Sequence, residues 1–175
     1  MEEKDVIEIL RHYRHDLLNH LQIIQGYSSM GKTDKVNAKI AEYLQLLDEE
    51  RKLVNLNVPL FALSLIQFDS LHTNFLLTYH IHTENKDLKH IDEALVSSTS
   101  QLMNEIKDMA DETELYEVCL QMCEVSSSSM IELKLNVNGN LPNIEKLMKN
   151  IESMELVIET HQDSDGIVCL VNIPY

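Results

Sequence analysis

The chain has 175 residues, 44% of them hydrophobic and 25% charged, which is enough to bury a core and too apolar for a disordered segment. Its formal net charge of −15 argues against a nucleic-acid binder, because phosphate recognition needs a basic footprint. No apolar run approaches the roughly 18–20 residues of a membrane span, and the opening Met1-Glu2-Glu3-Lys4-Asp5 lacks the blocks of a secretory signal. The expectation is a cytoplasmic protein that engages neither nucleic acid nor membrane.

The first element in chain order is a helix from about Val6 to Ser29. At 100° per residue, Ile7, Leu10, Leu17, Leu18, Leu21 and Ile24 gather into one apolar stripe with Arg14 among them. His15 lies roughly a third of a turn from the middle of that stripe, and His12, Asn19 and Gln22 share its flank at spacings of three and four. The spacing thus predicts an imidazole held toward solvent beside a buried seam.

Gly31 supplies a stop, Thr33 or Asp34 a cap, and a second helix over about Asp34–Leu53 repeats the pattern with Val36, Ile40, Tyr43, Leu44 and Leu47. So short a connection makes the two helices antiparallel. Two helices with narrow seams cannot enclose a core, so the hairpin is expected to pair with a second copy as a four-helix bundle.

Pro59 marks a boundary, and a third helical stretch runs from Leu60 to about Leu71. Strands follow at Asn74–Glu84 and Leu115–Val125, separated by a long helix from Leu88 to Asp111. A turn over Ser126-Ser127-Ser128-Ser129 leads to a strand through Ile131, Leu133, Leu135 and Val137. Asn138-Gly139-Asn140 closes that strand, Pro142 opens a helix to Ile151, and strands at Met154–Thr160 and Ile167–Ile173 flank a turn. The fold class is therefore α+β, with a helical hairpin over residues 1–55 and an α/β domain over residues 56–175. Charge is divided unevenly between them. Residues 1–52 carry 8 Lys and Arg against 10 Asp and Glu, and the remainder carries 6 against 19, so an acidic partner docks more easily near His15. The three cysteines have neither the number nor the spacing of a disulfide framework or zinc site, and reduced thiols are expected.

Leu10 to Gly26 (LRHYRHDLLNHLQIIQG), the hairpin that follows, and Lys52 to Asp69 (KLVNLNVPLFALSLIQFD) resemble the sporulation initiation phosphotransferase B family of histidine phosphotransferases. The resemblance is close over residues 7–70, and beyond that only the order of elements is similar. It implies a homodimer with one active histidine per subunit and a C-terminal domain similar to a histidine-kinase ATPase domain without its nucleotide site. It also implies His15 as the phosphorylated residue, with Arg14, Asp16 and Asn19 as motif neighbours. The implied partners are response-regulator receiver domains, one a phosphodonor and the other, the sporulation transcription regulator, a phosphoacceptor.

The chemistry suits that assignment. An imidazole, with an ordinary pKa of about 6.5, is largely neutral at cytosolic pH and keeps a lone pair for attack on an aspartyl phosphate. Phosphoryl transfer asks mainly for in-line positioning and charge neutralisation, so a bare histidine suffices when the partner brings Mg²⁺ and a lysine. No cofactor or metal is expected on this chain itself. Asp16 is a candidate to hold the second ring nitrogen, while Arg14 either neutralises phosphate or packs between helices. Arg11, His12, Leu18 and Gln22 are expected to touch the partner. The glycine-poor C-terminal half argues against ATP binding, although Asn138-Gly139-Asn140 and Asn104 fall where a kinase would place nucleotide ligands. Two other readings stay open: a degenerate sensor-kinase fragment, and a dimerisation and docking module without chemistry.

Overall fold

The structure is a computed structural model that describes residues 3–125, 127–154 and 157–175. The chain divides into two compact units, residues 1–51 and 52–175. In the first, α1 (Glu3–Ser29) and α2 (Thr33–Asn55, whose last turn belongs to the second unit) form a hairpin. Gly31, at φ +67°, ends α1. The Lys32 N–H donates to Tyr27 O at 3.0 Å and the Gly31 N–H to Ser28 O at 2.9 Å, a pair of bonds that satisfies two of the carbonyls a helix end leaves free. Helix α2 starts at Thr33, so Thr33 and Asp34 lie in its first turn, where the Asp34 carboxylate meets the positive end of the helix dipole.

Three cross-helix pairs fix the antiparallel register. The Tyr13 hydroxyl donates to Glu50 Oε2 at 3.3 Å, the His20 ring lies 4.5 Å from that of Tyr43, and Lys35 Nζ sits 5.5 Å above the Tyr27 ring. Facing residue numbers therefore sum to about 63. The seam between the helices contains half-buried Ile9, Leu17, His20, Ile24 and Tyr27 of α1 and Val36, Tyr43 and Leu47 of α2. The single stripe read from the sequence is thus two. Leu17 and Ile24 face α2, while Ile7, Leu10, Leu18 and Leu21 are 48–57% exposed on an adjacent face, and Ile40 and Leu44 on α2 are 40% and 60% exposed.

The second unit is a five-stranded sheet in the order β1-β2-β3-β5-β4, with helices against one face. Its strands are β1 (Phe75–Ile81), β2 (Tyr116–Val125), β3 (Met130–Asn138), β4 (Val157–Asp163) and β5 (Gly166–Pro174). The β1–β2 pair is parallel and the others antiparallel. The parallel pair needs a long crossover, which α5 (Asp92–Met109) supplies. Alternation sends Val118, Leu120 and Met122 of β2, Ile131, Leu133, Leu135 and Val137 of β3, and Ile167, Cys169, Val171 and Ile173 of β5 into the core. There they meet Leu95, Leu102 and Ile106 of α5 and Leu147 and Ile151 of α6 (Ile144–Glu152). Cys169 is buried and its thiol is pushed up to about 11 by desolvation; all three cysteines are free.

Several boundaries move for physical reasons. The helix expected over Leu60–Leu71 is two, α3 (Pro59–Ile66) and α4 (Phe68–Leu71), joined at Gln67. The stretch from Leu88 opens with a 3₁₀ turn, Lys89–Ile91, before α5 begins. Pro142 precedes α6 by two residues, with Asn143 in the left-handed region at its start. Ser126 of the serine turn and residues 155 and 156 of the strand expected from Met154 lie outside the described residues.

Buried Asp92 joins elements far apart in sequence, its carboxylate accepting the Leu60 N–H at 3.0 Å and the Phe61 N–H at 2.8 Å. Two of the donors that the start of α3 leaves without intrahelical partners are thereby satisfied from α5. Close by, the Leu88 N–H donates to Leu56 O at 2.9 Å and the Asn57 amide donates to Asp87 at 3.1 Å. Fully buried Tyr116 stacks on Phe75 at 5.1 Å, and its hydroxyl donates to Asn140 O and accepts from the Asp111 N–H. Gly139 is required by that ring, because a Cβ there would lie 2.4 Å from Tyr116 Cδ1. We predict that Asp92→Ala costs about 1–2 kcal/mol, read as a lower urea midpoint at unchanged slope, with Asp92→Asn intermediate.

His72 packs at 4.6 Å on Phe68, and its buried Nδ1 has no hydrogen-bond partner among the described residues. Desolvation, and secondarily the Lys107 charge, hold its pKa below the ordinary value. The folded state therefore binds that proton less readily than the unfolded chain, and stability is lost as pH falls below about 6.5. Denaturation midpoints measured from pH 7.5 to 5.5 should fall, and His72→Leu should flatten that slope.

Candidate functional site

His15 stands on α1 with its side chain 70% exposed. Its outward direction follows from the two apolar faces of the same helix. With Leu17, His20 and Ile24 turned to α2 and Ile7, Leu10, Leu18 and Leu21 on the next face, 100° steps leave residue 15 on the remaining polar arc.

Two neighbours address the same ring nitrogen. Asp16 Oδ1 is 3.2 Å from His15 Nδ1, and Asn19 Nδ2 is 3.3 Å from it. A carboxylate oxygen only accepts, so the Asp16 contact is a hydrogen bond when Nδ1 carries the proton. An amide nitrogen only donates, so the Asn19 contact is one when Nδ1 carries the lone pair. In either case both contacts fall on Nδ1 and neither on Nε2. Asp16 is itself 68% exposed, and adjacent positions on a helix diverge by 100°, so this contact needed coordinates to establish. The Asn19 contact had a sequence signal in its four-residue spacing, yet the motif alone does not mark Asn19 as a ring partner.

The remaining candidates are distributed along the same helix. Arg11, His12 and Gln22 are exposed, Leu18 is 48% exposed within the apolar face, and Arg14 is exposed in that face between Leu10 and Leu18. His20 belongs to the seam, where its ring packs at a tilt against Tyr43 and its buried Nδ1 has no hydrogen-bond partner among the described residues. The Tyr13–Glu50 bond one level away was not legible in advance, because it needs the register across the hairpin. Burial and the Glu50 charge raise the pKa of Tyr13 above its ordinary value, and the same causes raise Tyr43.

Among the described residues no three His, Cys, Asp or Glu side chains converge to hold a metal ion. Asn104 is exposed on α5, and Gly139 is accounted for by packing on Tyr116. No helix among the described residues is long and apolar enough to cross a membrane.

Residues 1–56 match the family described as the SpoOB-type sensor kinase alpha-helical domain, and residues 57–168 match the one described as sporulation initiation phosphotransferase B, C-terminal. The sporulation initiation phosphotransferase B of Bacillus subtilis is 34% identical over 100 residues, covering 57% of this chain and 52% of that protein. The match thus spans about half the length of this curated relative. Among solved structures, the histidine kinase ThkA in complex with response regulator TrrA aligns with a TM-score of 0.40 at 14% identity, over 95% of this chain and 61% of that one. A blue-light-activated histidine kinase of Erythrobacter litoralis aligns at 0.45 and 13%, over 99% and 60%.

The contrast between the two histidines is testable. His15→Ala, an exposed truncation, should leave the denaturation midpoint within about 0.5 kcal/mol of the parent, whereas His20→Ala, which removes a seam ring, should cost about 1 kcal/mol or more.

Proposed function

The chain belongs to the sporulation initiation phosphotransferase B family, and on that premise we propose that it relays a phosphoryl group between two response regulators through His15. The observation that carries the proposal is an exposed imidazole whose Nδ1 has Asp16 and Asn19 beside it, one or the other bonded according to the tautomer, which leaves Nε2 as the nucleophile. In the tautomer that donates to Asp16, Nε2 holds the lone pair. It attacks the phosphorus of an aspartyl phosphate in line, the P–O bond to the carboxylate breaks, and a P–N bond forms. Reversal onto a second receiver aspartate completes the relay. A receiver's own Mg²⁺ supplies charge neutralisation at the phosphoryl oxygens, so the hairpin contributes positioning. Arg14 either adds positive charge beside the phosphoryl group or packs against a second hairpin.

Receivers dock on the hairpin in this reading. Residues 1–52 are close to neutral and the rest of the chain is strongly acidic, so an acidic receiver meets least repulsion around Arg11, His12, Leu18 and Gln22. Exposed Ile7, Leu10 and Leu21 of α1, with Ile40 and Leu44 of α2, support a homodimer in which two hairpins close a four-helix bundle. The chain itself then needs no ATP and no cofactor, and it acts in the cytoplasm, where receivers are.

The decisive experiment incubates the purified chain with a labelled phosphorylated receiver, then adds a second receiver. Label should pass to the chain and onward, and His15→Ala should abolish both steps. Binding without transfer supports a docking module instead, and labelling from ATP supports a sensor-kinase fragment. In sedimentation equilibrium the parent should be a dimer, and a double Leu21→Glu, Leu44→Glu variant should be a monomer. A monomeric parent at tens of micromolar removes the bundle from the proposal.

A further inference from the structure

A donor and an acceptor aimed at one ring nitrogen cannot both be satisfied in one protonation state. Asp16 Oδ1 and Asn19 Nδ2, at 3.2 Å and 3.3 Å from His15 Nδ1, therefore each form a hydrogen bond in a different protonation state of the ring. Resting on the phosphotransfer reading above, we propose that Asn19 is a positioning residue that sets the lifetime of the phosphorylated histidine, by competing with Asp16 for Nδ1.

The chemistry at the two nitrogens is linked. Attack through Nε2 on a phosphoryl donor, with Nδ1 protonated, yields a phosphoimidazolium whose positive charge makes the ring a good leaving group. Loss of the Nδ1 proton to Asp16 or to water yields the neutral phosphoimidazole, whose ring would have to leave as an anion and is therefore held. Asp16 accepts from Nδ1–H and stabilises the labile state. Asn19 donates to the Nδ1 lone pair and stabilises the durable one. Return of the proton to Nδ1 precedes onward transfer, in which the P–N bond breaks, a P–O bond forms on the acceptor carboxylate, and the ring departs as neutral imidazole. An intermediate that waits between two partners needs the durable state, and one that discharges readily needs the labile state. One nitrogen with two partners of opposite polarity provides both.

Charged groups near the site come from both helices. Arg11, His12, Arg14 and Asp16 lie on α1, and the hairpin register puts Asp48 and Arg51 of α2 at the level of His15 and His12. The Arg51 guanidinium is paired with Asp48 at 2.6 Å. Exchanging Asp16 or Asn19 acts directly on the two contacts made to Nδ1.

The test uses the full chain phosphorylated by potassium phosphoramidate, a donor that needs no receiver, and follows loss of phosphohistidine by ³¹P NMR from pH 5 to pH 9. Asn19→Ala should shorten the lifetime near neutral pH by roughly two- to five-fold and move the onset of rapid loss to higher pH. Asn19→Asp, of the same shape but able only to accept when ionised, should shorten it further. Asp16→Asn should act in the opposite direction, lengthening the lifetime and moving the onset to lower pH. Residues 16 and 19 are both exposed helix positions, and circular dichroism of each of the three variants should match the parent. Before phosphorylation, ¹⁵N NMR of His15 should show Asp16→Asn favouring the Nε2–H tautomer and Asn19→Ala the Nδ1–H tautomer. Shifts of the same sign in the two variants, or none, overturn the inference and leave His15 as the carrier. A ³¹P phosphohistidine spectrum that His15→Ala leaves unchanged removes the carrier itself, and the inference with it; signals that persist beside a lost one belong to the other seven histidines.

Discussion

Everything about the hairpin follows from how much of its circumference α1 gives to apolar packing. One arc, through Leu17, His20 and Ile24, closes on α2, and the next arc, through Ile7, Leu10, Leu18 and Leu21, stays open to solvent. Little more than a third of the helix is left for polar residues, and His15, Asp16 and Asn19 all lie there. The exposure of the histidine is thus a consequence of packing on the other sides. The same constraint gives the site rigidity, because a helix gripped along one edge cannot rotate the imidazole away without breaking the Tyr13–Glu50 and His20–Tyr43 pairs.

The larger unit is organised by a different device. Its core is an ordinary product of strand alternation against α5 and α6, and its less ordinary feature is the buried carboxylate of Asp92. By accepting the first N–H groups of α3 it ties the segment after Pro59 to the start of the crossover helix. The bonds from Leu88 to Leu56 and from Asn57 to Asp87 repeat that tie nearby. Leu53 and Leu56, fully buried, belong to the same core.

Glycine and histidine, the residues that most invite functional assignment from sequence, are told apart by what surrounds them. Gly139 sits where a nucleotide loop would be sought, yet the ring of Tyr116 occupies the space that its missing Cβ leaves. His72 and His20 are packing residues with ring neighbours. His15 alone among these three histidines projects from the surface with polar groups arranged on one nitrogen, and that geometry separates a candidate carrier from a structural imidazole.

The amino-acid sequence by itself determined the α+β class, the hairpin and its antiparallel sense, the five strands, and the arc on which His15 stands, because all of these follow from local periodicity and turn chemistry. The Arg14-His15-Asp16 run with Asn19 also carried the family resemblance. Only the tertiary structure decided the division of one apolar stripe into two faces, since which leucines meet α2 depends on the register set by Tyr13, His20 and Tyr27. It alone placed Asp92 under α3, across a separation of about thirty residues that no local pattern spans. It alone brought Asp16 and Asn19 to the same nitrogen, because side-chain rotamers, and not helix spacing, decide which atom of a ring is reached.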